Sequence, residues 1–446
     1  MADGRDNDPR SRPHESRRDK RRALANEHRL LALGEAVDNQ SGVTRKSRKH
    51  RPHRTRRNLI ISAIVLVGLI AGVVGGSYLY AQYRFSTIPK IHVAGELPQL
   101  TGKPFNILEI GSDSRSGLKG AVASQTGAST GQAGGQRSDV VKIMHVDPAT
   151  GTISVLSIPR DTVTTLLANQ SVYGNFNRIN VNFASGPSLL AQTITANFGI
   201  PITHTVVVSF SGLINAAVAL GGVYLDFPYP AKDAYSGLKI PHAGCQLVNG
   251  FEALAVARSR HYEWFENGVW NFDVTSDYGR IDRQNAFMRA MIDRAKRLYN
   301  PLTINSFLSK LPQGITLDDN FTLNELIALA VKFHGINPAN MLTYTLPTVP
   351  GQSAALGDVL YVQQPAAQQM LVSIFGTTLI TPTNPPPNAA GQTPLPPTVT
   401  TTSSTSTTTT VPKKAKKHTS STKSSTTTTT VATPGQQFFD PVPCNP

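Results

Sequence analysis

Apolar and polar residues alternate along the middle of the chain with two different periods. Short runs rich in β-branched residues and bounded by turn residues are typical of strands, and they occur at 106–110, 140–146, 152–158, 205–208, 223–227 and 342–346. Amphipathic stretches separate them, and the one at 322–333 opens with Thr322 followed three residues later by Glu325, which predicts a capping box. Strands that alternate with helices predict an α/β fold with helices on both faces of a sheet.

Residues 59–80 form a run of 22 residues without a charged side chain. A helix needs about 20 apolar residues to cross a bilayer, so this run predicts one transmembrane helix. A cleaved signal peptide fits less well, because 58 residues precede the run. A dense basic segment at 45–57 lies just before it, and the positive-inside rule then places the N-terminus in the cytoplasm and the rest of the chain outside.

The two ends of the chain have compositions that do not support a folded core. Residues 1–58 hold 17 Lys and Arg against 8 Asp and Glu, which predicts a disordered basic cytoplasmic arm. Residues 377–446 are rich in Thr, Ser and Pro and predict a disordered tail that ends in a short apolar stub around Cys444, which could dock back on the domain. We therefore expect a juxtamembrane linker at 81–104 and one folded extracytoplasmic domain at 105–376.

The formal net charge of +15 lies mostly in those ends, because residues 81–376 hold 21 basic and 19 acidic residues. Nucleic-acid binding requires a positive stripe on a folded surface, so we expect no nucleic-acid partner and assign the basic arm to anionic membrane lipid. Two cysteines exclude a disulfide-dense scaffold and a cysteine-based zinc module. The P-loop, GxGxxG and HExxH motifs are absent from the sequence.

Candidate chemistry lies instead in Asp and Arg residues near the ends of predicted strands, where α/β sheets bind ligands. Three such groups occur at the first three strands: Asp113 with Arg115, Arg137 with Asp139, and Arg160 with Asp161. Further along, Arg258 and Arg260 would share a face in an extended segment and could hold one anion. A helix predicted from 277 carries Arg280, Arg283 and Gln284 on its first turns, where an N-terminus attracts anions.

These residue types favour a polyphosphate substrate. Guanidinium groups bind phosphate oxygens in pairs, and two carboxylates without a His or Cys cluster suit Mg²⁺, with Mn²⁺ as a second choice. Arginines and a metal ion together favour phosphoryl transfer. Each residue also has a structural interpretation, because Asp after a strand often caps a turn and a single Arg often forms a surface ion pair.

Several segments, in order, resemble the LytR-CpsA-Psr family. They are NILEIGSDSR at 106–115, RSDVVKIMHVDPATGTISVLSIPRDT at 137–162, RIN at 178–180, the segment 244–261, and DYGRIDRQNAF at 277–287. The similarity covers about 105–300. It implies a membrane-anchored phosphotransferase that moves a glycopolymer from a polyprenyl (undecaprenyl or decaprenyl) diphosphate carrier to peptidoglycan, with Mg²⁺, and forms a phosphodiester. It also implies a three-layer α/β/α sandwich with a hydrophobic cleft for the prenyl chain.

The resemblance also implies roles for individual residues. Asp113 and Asp139 match the Mg²⁺-associated acids of the family. The diphosphate-binding positions match Arg160, Arg258, Arg260, Arg280 and Gln284. Four more motif positions have less defined catalytic or binding roles: Arg115, Arg137, Asp161 and Arg283. Arg178 stands where the family often has a basic residue. A carboxylate would take the proton of the acceptor hydroxyl, and which carboxylate does so stays open.

Two features depart from the family pattern. Val140 replaces a Thr of the RSDT motif, and an insertion of 21 residues separates the acidic positions. The insertion must loop out if Asp113 and Asp139 are to share a metal ion. Cys245 and Cys444 lie on the oxidising side of the membrane, where they would either form a disulfide or remain as two free thiols.

Other functions remain compatible with the sequence. A polyprenyl-diphosphate hydrolase would use the same residues with water as the acceptor. A membrane-tethered transcriptional or envelope regulator would depend on the basic arm, and a non-catalytic envelope spacer on the Thr-rich tail. The basic arm, the tail and the external cysteines together suit an actinobacterium, where arabinogalactan is the expected polymer.

Overall fold

The structure is a computed structural model that describes residues 17–40, 52–100, 102–114, 118, 137–297, 301–310, 312–335, 337–377 and 437–445. The chain divides into two compact units, Met1–Gly75 and Gly76–Pro446. Helix α1, Arg17–Gln40, belongs to the first unit, and helix α2 spans Pro52–Ser86.

Helix α1 corrects the expectation of a disordered arm for that part of the chain. It is a helix of 24 residues whose described side chains are exposed. The composition correctly indicated that the described side chains of α1 are exposed. It also contains Arg, Lys, Leu and Ala, which are strong helix formers. A solvated helix needs no core, so low hydrophobicity alone did not exclude it.

Helix α2 contains the predicted transmembrane run and extends beyond it at both ends. Its segment Arg57–Ser86 is long and apolar enough to cross a bilayer, and it is the only described helix that is. The expected linker at 81–104 is part of the second unit. Phe85 and Ile88 are buried against Leu317, Phe321 and Leu323, so the fold begins before residue 105.

A mixed sheet of seven strands organises the second unit. Its order is β1-β14-β7-β2-β3-β4-β15. The strands are β1 Lys90–Ile91, β2 Phe105–Ser112, β3 Ser138–Asp147, β4 Thr152–Ser157, β7 His204–Val208, β14 Ile315–Asp318 and β15 Leu342–Thr345. The pairs β1 with β14, β2 with β7, and β4 with β15 are parallel, and the other pairs are antiparallel.

Helices cover both faces of this sheet, which confirms the α/β/α sandwich. They are α3 Gln170–Tyr173, α4 Pro187–Phe198, α5 Phe210–Ala219, α6 Gly250–Arg258, α7 Asp277–Ala295, α8 Pro301–Lys310, α9 Leu323–Phe333 and α10 Ala366–Phe375. On one face Leu108 and Ile143 pack in a core with Leu190 of α4 and Leu371 of α10. On the other face, Lys142 of β3 contacts Asn285 of α7.

Smaller sheets and two short 3-10 helices complete the second unit. The remaining strands are β5 Val163–Thr165, β6 Phe176–Arg178, β8 Val223–Phe227, β9 Ala231–Asp233, β10 Leu238–Ile240, β11 Gly244–Val248, β12 Glu263–Glu266, β13 Val269–Phe272, β16 Thr348–Ser353, β17 Gly357–Val362 and β18 Val442–Pro443. The 3-10 helices are Ile179–Ser185 and Pro338–Asn340. A four-stranded sheet has the order β10-β9-β12-β13.

The C-terminal stub, residues 437–445, is part of this fold. Strand β18 pairs with β8, and Cys444 forms a disulfide with Cys245 at the start of β11. Phe439 and Asp440 are buried. The stub therefore differs from the disordered tail in which it was expected to lie, because its own apolar residues join the core. Residues 378–436 of the predicted tail lie outside the described residues.

Candidate functional site

The ends of β2 and β3 meet at one edge of the candidate site. Asp113 follows β2, and its Oδ1 accepts a hydrogen bond from the backbone N–H of Arg137 at 3.1 Å. Gly111 is needed here, since a Cβ on it would lie 2.6 Å from the Cβ of Val140. The insertion at 116–136 lies almost entirely outside the described residues. The residues on either side of it, Asp113 and Arg137, are hydrogen-bonded to each other. The sheet register thus brings Asp113 beside the strand that carries Asp139.

Asp139 lies at the centre of a cluster of arginines. Its Oδ1 accepts a hydrogen bond from Nη1 of Arg160 at 2.7 Å and lies 3.6 Å from Nη2 of Arg260. Nη2 of Arg280 donates to the backbone carbonyl of Asp139 at 2.9 Å. Burial alone would raise the pKa of Asp139, but the guanidinium groups of Arg280, Arg160 and Arg260 outweigh burial and hold that pKa below its usual value. Asp139 is therefore a carboxylate at neutral pH.

A second carboxylate, Asp277, enters the cluster from the first turn of α7. Its Oδ1 lies 2.8 Å from Nη2 of Arg280 and 3.0 Å from Nε of Arg260. Asp277 was not among the predicted site residues, although its spacing of three residues from Arg280 on one helix was an available signal. Burial lowers the pKa of Arg280 to about 10, so its guanidinium stays charged at neutral pH.

Asp161 extends the cluster towards the β16–β17 hairpin. One carboxylate oxygen lies 3.3 Å from Nε of Arg160, and the other lies 3.3 Å from Nε of Arg178. Nη2 of Arg178 also donates to the backbone carbonyl of Asp358, at 2.9 Å, on β17. Arg178 therefore belongs to the cluster and ties it to the hairpin.

Several buried donors of this cluster have no hydrogen-bond partner within the part of the chain that the structure describes. They are Nε and Nη2 of Arg260, Nε of Arg280 and Nε of Arg178. Their nearest carboxylates make ion pairs without hydrogen-bond geometry. Buried polar groups in proteins are nearly always hydrogen-bonded. Guanidinium donors that are ion-paired but not hydrogen-bonded, in a half-buried cluster, favour a phosphate-like anion, which can accept from several of them.

The charge of the cluster bears on what it can bind. Four guanidinium groups and three carboxylates give a net charge of one positive unit: Arg160, Arg178, Arg260 and Arg280 against Asp139, Asp161 and Asp277. A diphosphate diester with two negative charges would make the site negative if it bound alone. A divalent cation that bound with the diphosphate would restore the balance.

The donors present suit such a cation. Asp113 and Asp139 lie at adjacent strand ends, whereas no group of three or more His, Cys, Asp or Glu that could hold a metal occurs among the described residues. Mg²⁺ characteristically binds one or two carboxylates and completes its shell with water and substrate phosphates. The two aspartates fit a cation that arrives with the phosphate.

Arg283 does not belong to the site, contrary to the sequence-based prediction. Its guanidinium is fully buried, with Nη1 2.9 Å from Asp273 and 2.7 Å from Asp440. Nη2 donates to the carbonyl of Ser259 at 3.0 Å. The helical spacing placed Arg283 near Arg280, but the stub supplies a carboxylate that turns its side chain into the core.

Only some of the other predicted site residues lie beside Asp139. Gln284 donates through Nε2 to the carbonyl of Ala257 at 2.9 Å and lines a crevice with Asp139 and Arg280. Arg258 ends α6 instead of continuing an extended segment, and it stacks over the ring of Phe210 at 5.2 Å. This contact differs from the ion pairs of Arg260, and the binding of one anion by both arginines stays a prediction. Arg137 is exposed beside Asp113, and Arg115 lies outside the described residues.

A cavity of about 870 Å³ opens beside Asp113. This volume is within the range of about 300–1,000 Å³ typical of ligand pockets. Its lining is partly apolar, including Ile91, Phe183, Val207, Ile214, Phe251 and Ile315. It reaches Ser112 and Ser114, the residues on either side of Asp113. An apolar ligand in the cavity would therefore end next to the acidic strand ends.

A network of buried polar side chains joins the strand and the helix that carry residues of the cluster. Lys142, the partner of Glu109 across the β2–β3 ladder, donates through Nζ to Oδ1 of Asn285 on α7. Burial lowers the pKa of Lys142 to about 8 and raises the pKa of Asp282 to about 8. Lys142 also lines the crevice shared by Arg160 and Arg280. The network fixes α7, which carries Arg280, against the strand that carries Asp139.

The fold and the site together define a class of protein: an α/β/α domain that follows an apolar helix and carries an arginine and aspartate cluster beside an apolar cavity. Residues 84–374 match the LytR_cpsA_psr family, and the chain belongs to this family.

Curated relatives and one solved structure agree with this assignment. The chain is 29% identical over 273 residues to the probable cell wall biosynthesis protein LcpB of Corynebacterium glutamicum, covering 60% of each chain. It is 27% identical to the polyisoprenyl-teichoic acid–peptidoglycan teichoic acid transferase TagV of Bacillus subtilis, covering 64% of this chain and 68% of TagV. A LytR-Csp2A-Psr enzyme from Actinomyces oris shares the fold, with a TM-score of 0.50 and 23% identity over 64% of this chain and 95% of that one.

Proposed function

We propose that this protein transfers a glycopolymer from a polyprenyl diphosphate carrier to peptidoglycan, in cell wall assembly. The observation that carries the proposal is the position of arginine donors without hydrogen-bond partners, and of two aspartates, beside a partly apolar cavity. A polyprenyl diphosphate has a charged end and an apolar chain, which match these two features. The name of TagV describes transfer of a polyisoprenyl-linked polymer to peptidoglycan, which supports the same reaction class here.

The reaction is a phosphoryl transfer. An acceptor hydroxyl of peptidoglycan forms a bond to the phosphorus that carries the glycan, and the bond from that phosphorus to the bridging oxygen breaks. Prenyl phosphate leaves with the bridging oxygen, and the glycan remains joined to peptidoglycan through a phosphodiester. The hydroxyl proton passes to a carboxylate of the site, and which carboxylate takes it stays open.

The side chains have separate tasks in this step. Arg160, Arg260 and Arg280 bind the diphosphate and stabilise the charge that develops on its oxygens. Asp113 and Asp139 would hold Mg²⁺, which supplies further positive charge at the phosphates. The cavity beside Asp113 excludes water from the prenyl chain and orients the diphosphate.

We further propose a single-pass membrane protein, with α2 as the anchor, the N-terminus in the cytoplasm and the family domain outside. The apolar segment Arg57–Ser86 and the basic residues that precede it support this topology. An external domain lies on the same side as peptidoglycan. Arabinogalactan, the polymer expected from the basic arm, the tail and the external cysteines, is the first donor polymer to test.

The test uses the full chain in proteoliposomes with a polyprenyl-diphosphate arabinogalactan oligosaccharide, peptidoglycan fragments and Mg²⁺. We expect release of prenyl phosphate that requires the acceptor and is lost on chelation of the metal. Arg160→Ala lowers the rate about 100-fold or more, as removal of a charge-stabilising donor does. The matched control, Arg297→Ala, removes a half-exposed arginine near the end of α7 and retains the wild-type rate.

The same experiment separates the alternatives. Release at an equal rate without peptidoglycan identifies a hydrolase. If prenyl phosphate is released from none of the lipid diphosphates tested, the proposal that this protein is an enzyme is contradicted. A regulator then becomes the better account if deletion of residues 1–57 alone abolishes the cellular phenotype.

A further inference from the structure

The four-stranded sheet β10-β9-β12-β13 has one buried and one exposed face. The buried face carries Ala231, Leu238, Ile240 and Trp264, which pack in the core of the second unit. Residues that pair directly across antiparallel strands share a face, so the register assigns Phe265 with Trp270, and Glu263 with Phe272, to the other face. Phe265, Trp270 and Phe272 are 38%, 45% and 51% exposed. Three large aromatic side chains thus lie side by side in solvent, which is unusual without a ligand.

Charged groups are interleaved with these rings. Nζ of Lys232 lies 4.0 Å over the ring of Trp270 and 3.1 Å from the carboxylate of Glu263. Lys239 is directly opposite Lys232 in the β9–β10 pair and is exposed on the same face. The rings of Phe265 and Trp270 are tilted, with centroids 5.4 Å apart. The face therefore offers flat apolar surfaces with hydrogen-bonding groups at their edges.

The aromatic surface reaches the segment of chain that carries Arg260. The ring of Phe272 lies 6.2 Å from that of His261, which lies 4.4 Å from the exposed ring of Tyr235. His261 directly follows Arg260 in the chain, and the guanidinium of Arg260 contacts Asp139 and Asp277. A row of rings therefore runs from the residue next to Arg260 to the β12–β13 hairpin. We call it the aromatic row: Tyr235, His261, Phe272, Trp270 and Phe265.

We propose that the aromatic row binds a carbohydrate chain and holds it along the path that leads to the arginine cluster. The inference rests on the proposed function, which brings a glycan to each side of the transferred phosphorus. Sugar rings present an apolar C–H face that stacks on aromatic rings and hydroxyl groups that bond to charged side chains at the ring edges. A lipid surface fits less well, because the Lys232–Glu263 pair beside Trp270 would have to leave water.

The glycan bound there belongs either to the lipid-linked donor or to the peptidoglycan acceptor, and both have the same chemistry. Separate binding measurements on the full chain in detergent distinguish them. One uses phosphate-free arabinogalactan oligosaccharides and the other uses soluble peptidoglycan strands. The double variant Trp270→Ala, Phe272→Ala tests the row. Its control is Val269→Ala, which removes a 57% exposed apolar side chain from the opposite face of the same strand.

We expect wild type and Val269→Ala to bind at least one of the two glycans. The double variant binds that glycan about tenfold more weakly, since two stacking surfaces are removed. In the transfer reaction the KM for the same glycan substrate rises about tenfold, while turnover of a donor that carries a single sugar is unchanged. Circular dichroism spectra that match the wild type confirm that the double variant folds.

Three results would overturn the inference. They are equal binding of both glycans by the double variant and wild type, no binding of either glycan by wild type, and an unchanged KM for both glycan substrates in the double variant. Because glycan binding is measured without any diphosphate, a protein that binds glycan but has no transferase activity contradicts only the proposed function. A protein that transfers glycan with an unchanged KM in the double variant contradicts only the aromatic row.

Discussion

Phe439 of the C-terminal stub stacks on Trp264 of β12, with ring centroids 3.9 Å apart and ring planes within 10° of parallel. Phe439 is 6% exposed and belongs to the same core as Phe227 and Phe287. Residue 439 lies beyond a long Thr-rich and Pro-rich segment of the sequence, yet its side chain completes the core beneath the sheet that carries the aromatic row. The end of the chain is therefore a structural part of the domain.

Phe439→Ala is predicted to lower the free energy of unfolding by about 3–5 kcal/mol, the usual effect of removing a buried Phe. The adjacent Phe438→Ala should change it by about 0.5 kcal/mol or less, because Phe438 is 65% exposed. Urea denaturation of the purified full chain in detergent measures both. Equal destabilisation by the two substitutions would show that the stub does not pack as described.

The disulfide between Cys245 and Cys444 joins residues 199 positions apart. A crosslink over so long a loop restricts the unfolded chain, with a stabilisation of about 5 kcal/mol in the chain-entropy treatment. Cys444→Ser should therefore lower the urea midpoint, and reductant should lower the midpoint of wild type to that of the variant. A wild-type midpoint that does not respond to reductant would exclude the disulfide.

Arg283 and Arg160 should respond differently to substitution, although both lie on motif positions. Arg283→Met leaves Asp273 and Asp440 buried without their cation and is expected to destabilise the domain by about 3–5 kcal/mol. Arg160→Ala should leave the urea midpoint close to wild type and weaken binding of farnesyl diphosphate with Mg²⁺, measured by calorimetry. If the Arg283→Met protein folds stably but no longer binds diphosphate, Arg283 takes part in binding and the structural assignment is wrong.

Glu96 makes the stability of the domain depend on pH. Burial raises the pKa of Glu96 to about 7, and Thr205 Oγ1 donates a hydrogen bond to its carboxyl group at 2.6 Å. A carboxyl group in the unfolded chain has a pKa of about 4.3. The folded state therefore binds the proton more tightly, so this contribution to stability is complete below pH about 4 and is lost as pH rises through 7.

The melting temperature should accordingly fall between pH 5 and pH 8, and Glu96→Gln, which stays neutral, should show a smaller fall. Thermal denaturation followed by circular dichroism at both pH values measures the difference. Identical falls in the two proteins would show that Glu96 is not protonated in the folded state at pH 5.

The sheet was predictable where burial and periodicity agree. β2, β3 and β4 lie where the apolar runs placed them, because each of them turns apolar side chains into the core on one face of the sheet. Helix α1 was not predicted, because a solvated helix has no apolar stripe. Docking of the stub was expected as a possibility from its apolar residues and Cys444, but nine residues show no period from which the pairing with β8 could be inferred.

The site was predictable from residue type and motif, and less so from spacing. Arg160, Arg260 and Arg280 do converge on Asp139. Arg283 was misplaced because helical spacing gives only a direction, and its partner Asp440 is 157 residues away. The aromatic row was not predicted, since the exposed face of β12 and β13 follows from pairing with β9, which a strand pattern does not reveal.

The most direct measurement of the central claim follows the phosphorus atom. A polyprenyl-diphosphate glycan labelled with ³²P at the phosphorus next to the sugar is incubated with the full chain in proteoliposomes, peptidoglycan and Mg²⁺. We predict that the label moves to peptidoglycan together with the glycan, and that Arg160→Ala abolishes the transfer while Arg297→Ala does not. Glycan found on peptidoglycan without label, or label released as soluble glycan phosphate, would contradict phosphoryl transfer to peptidoglycan.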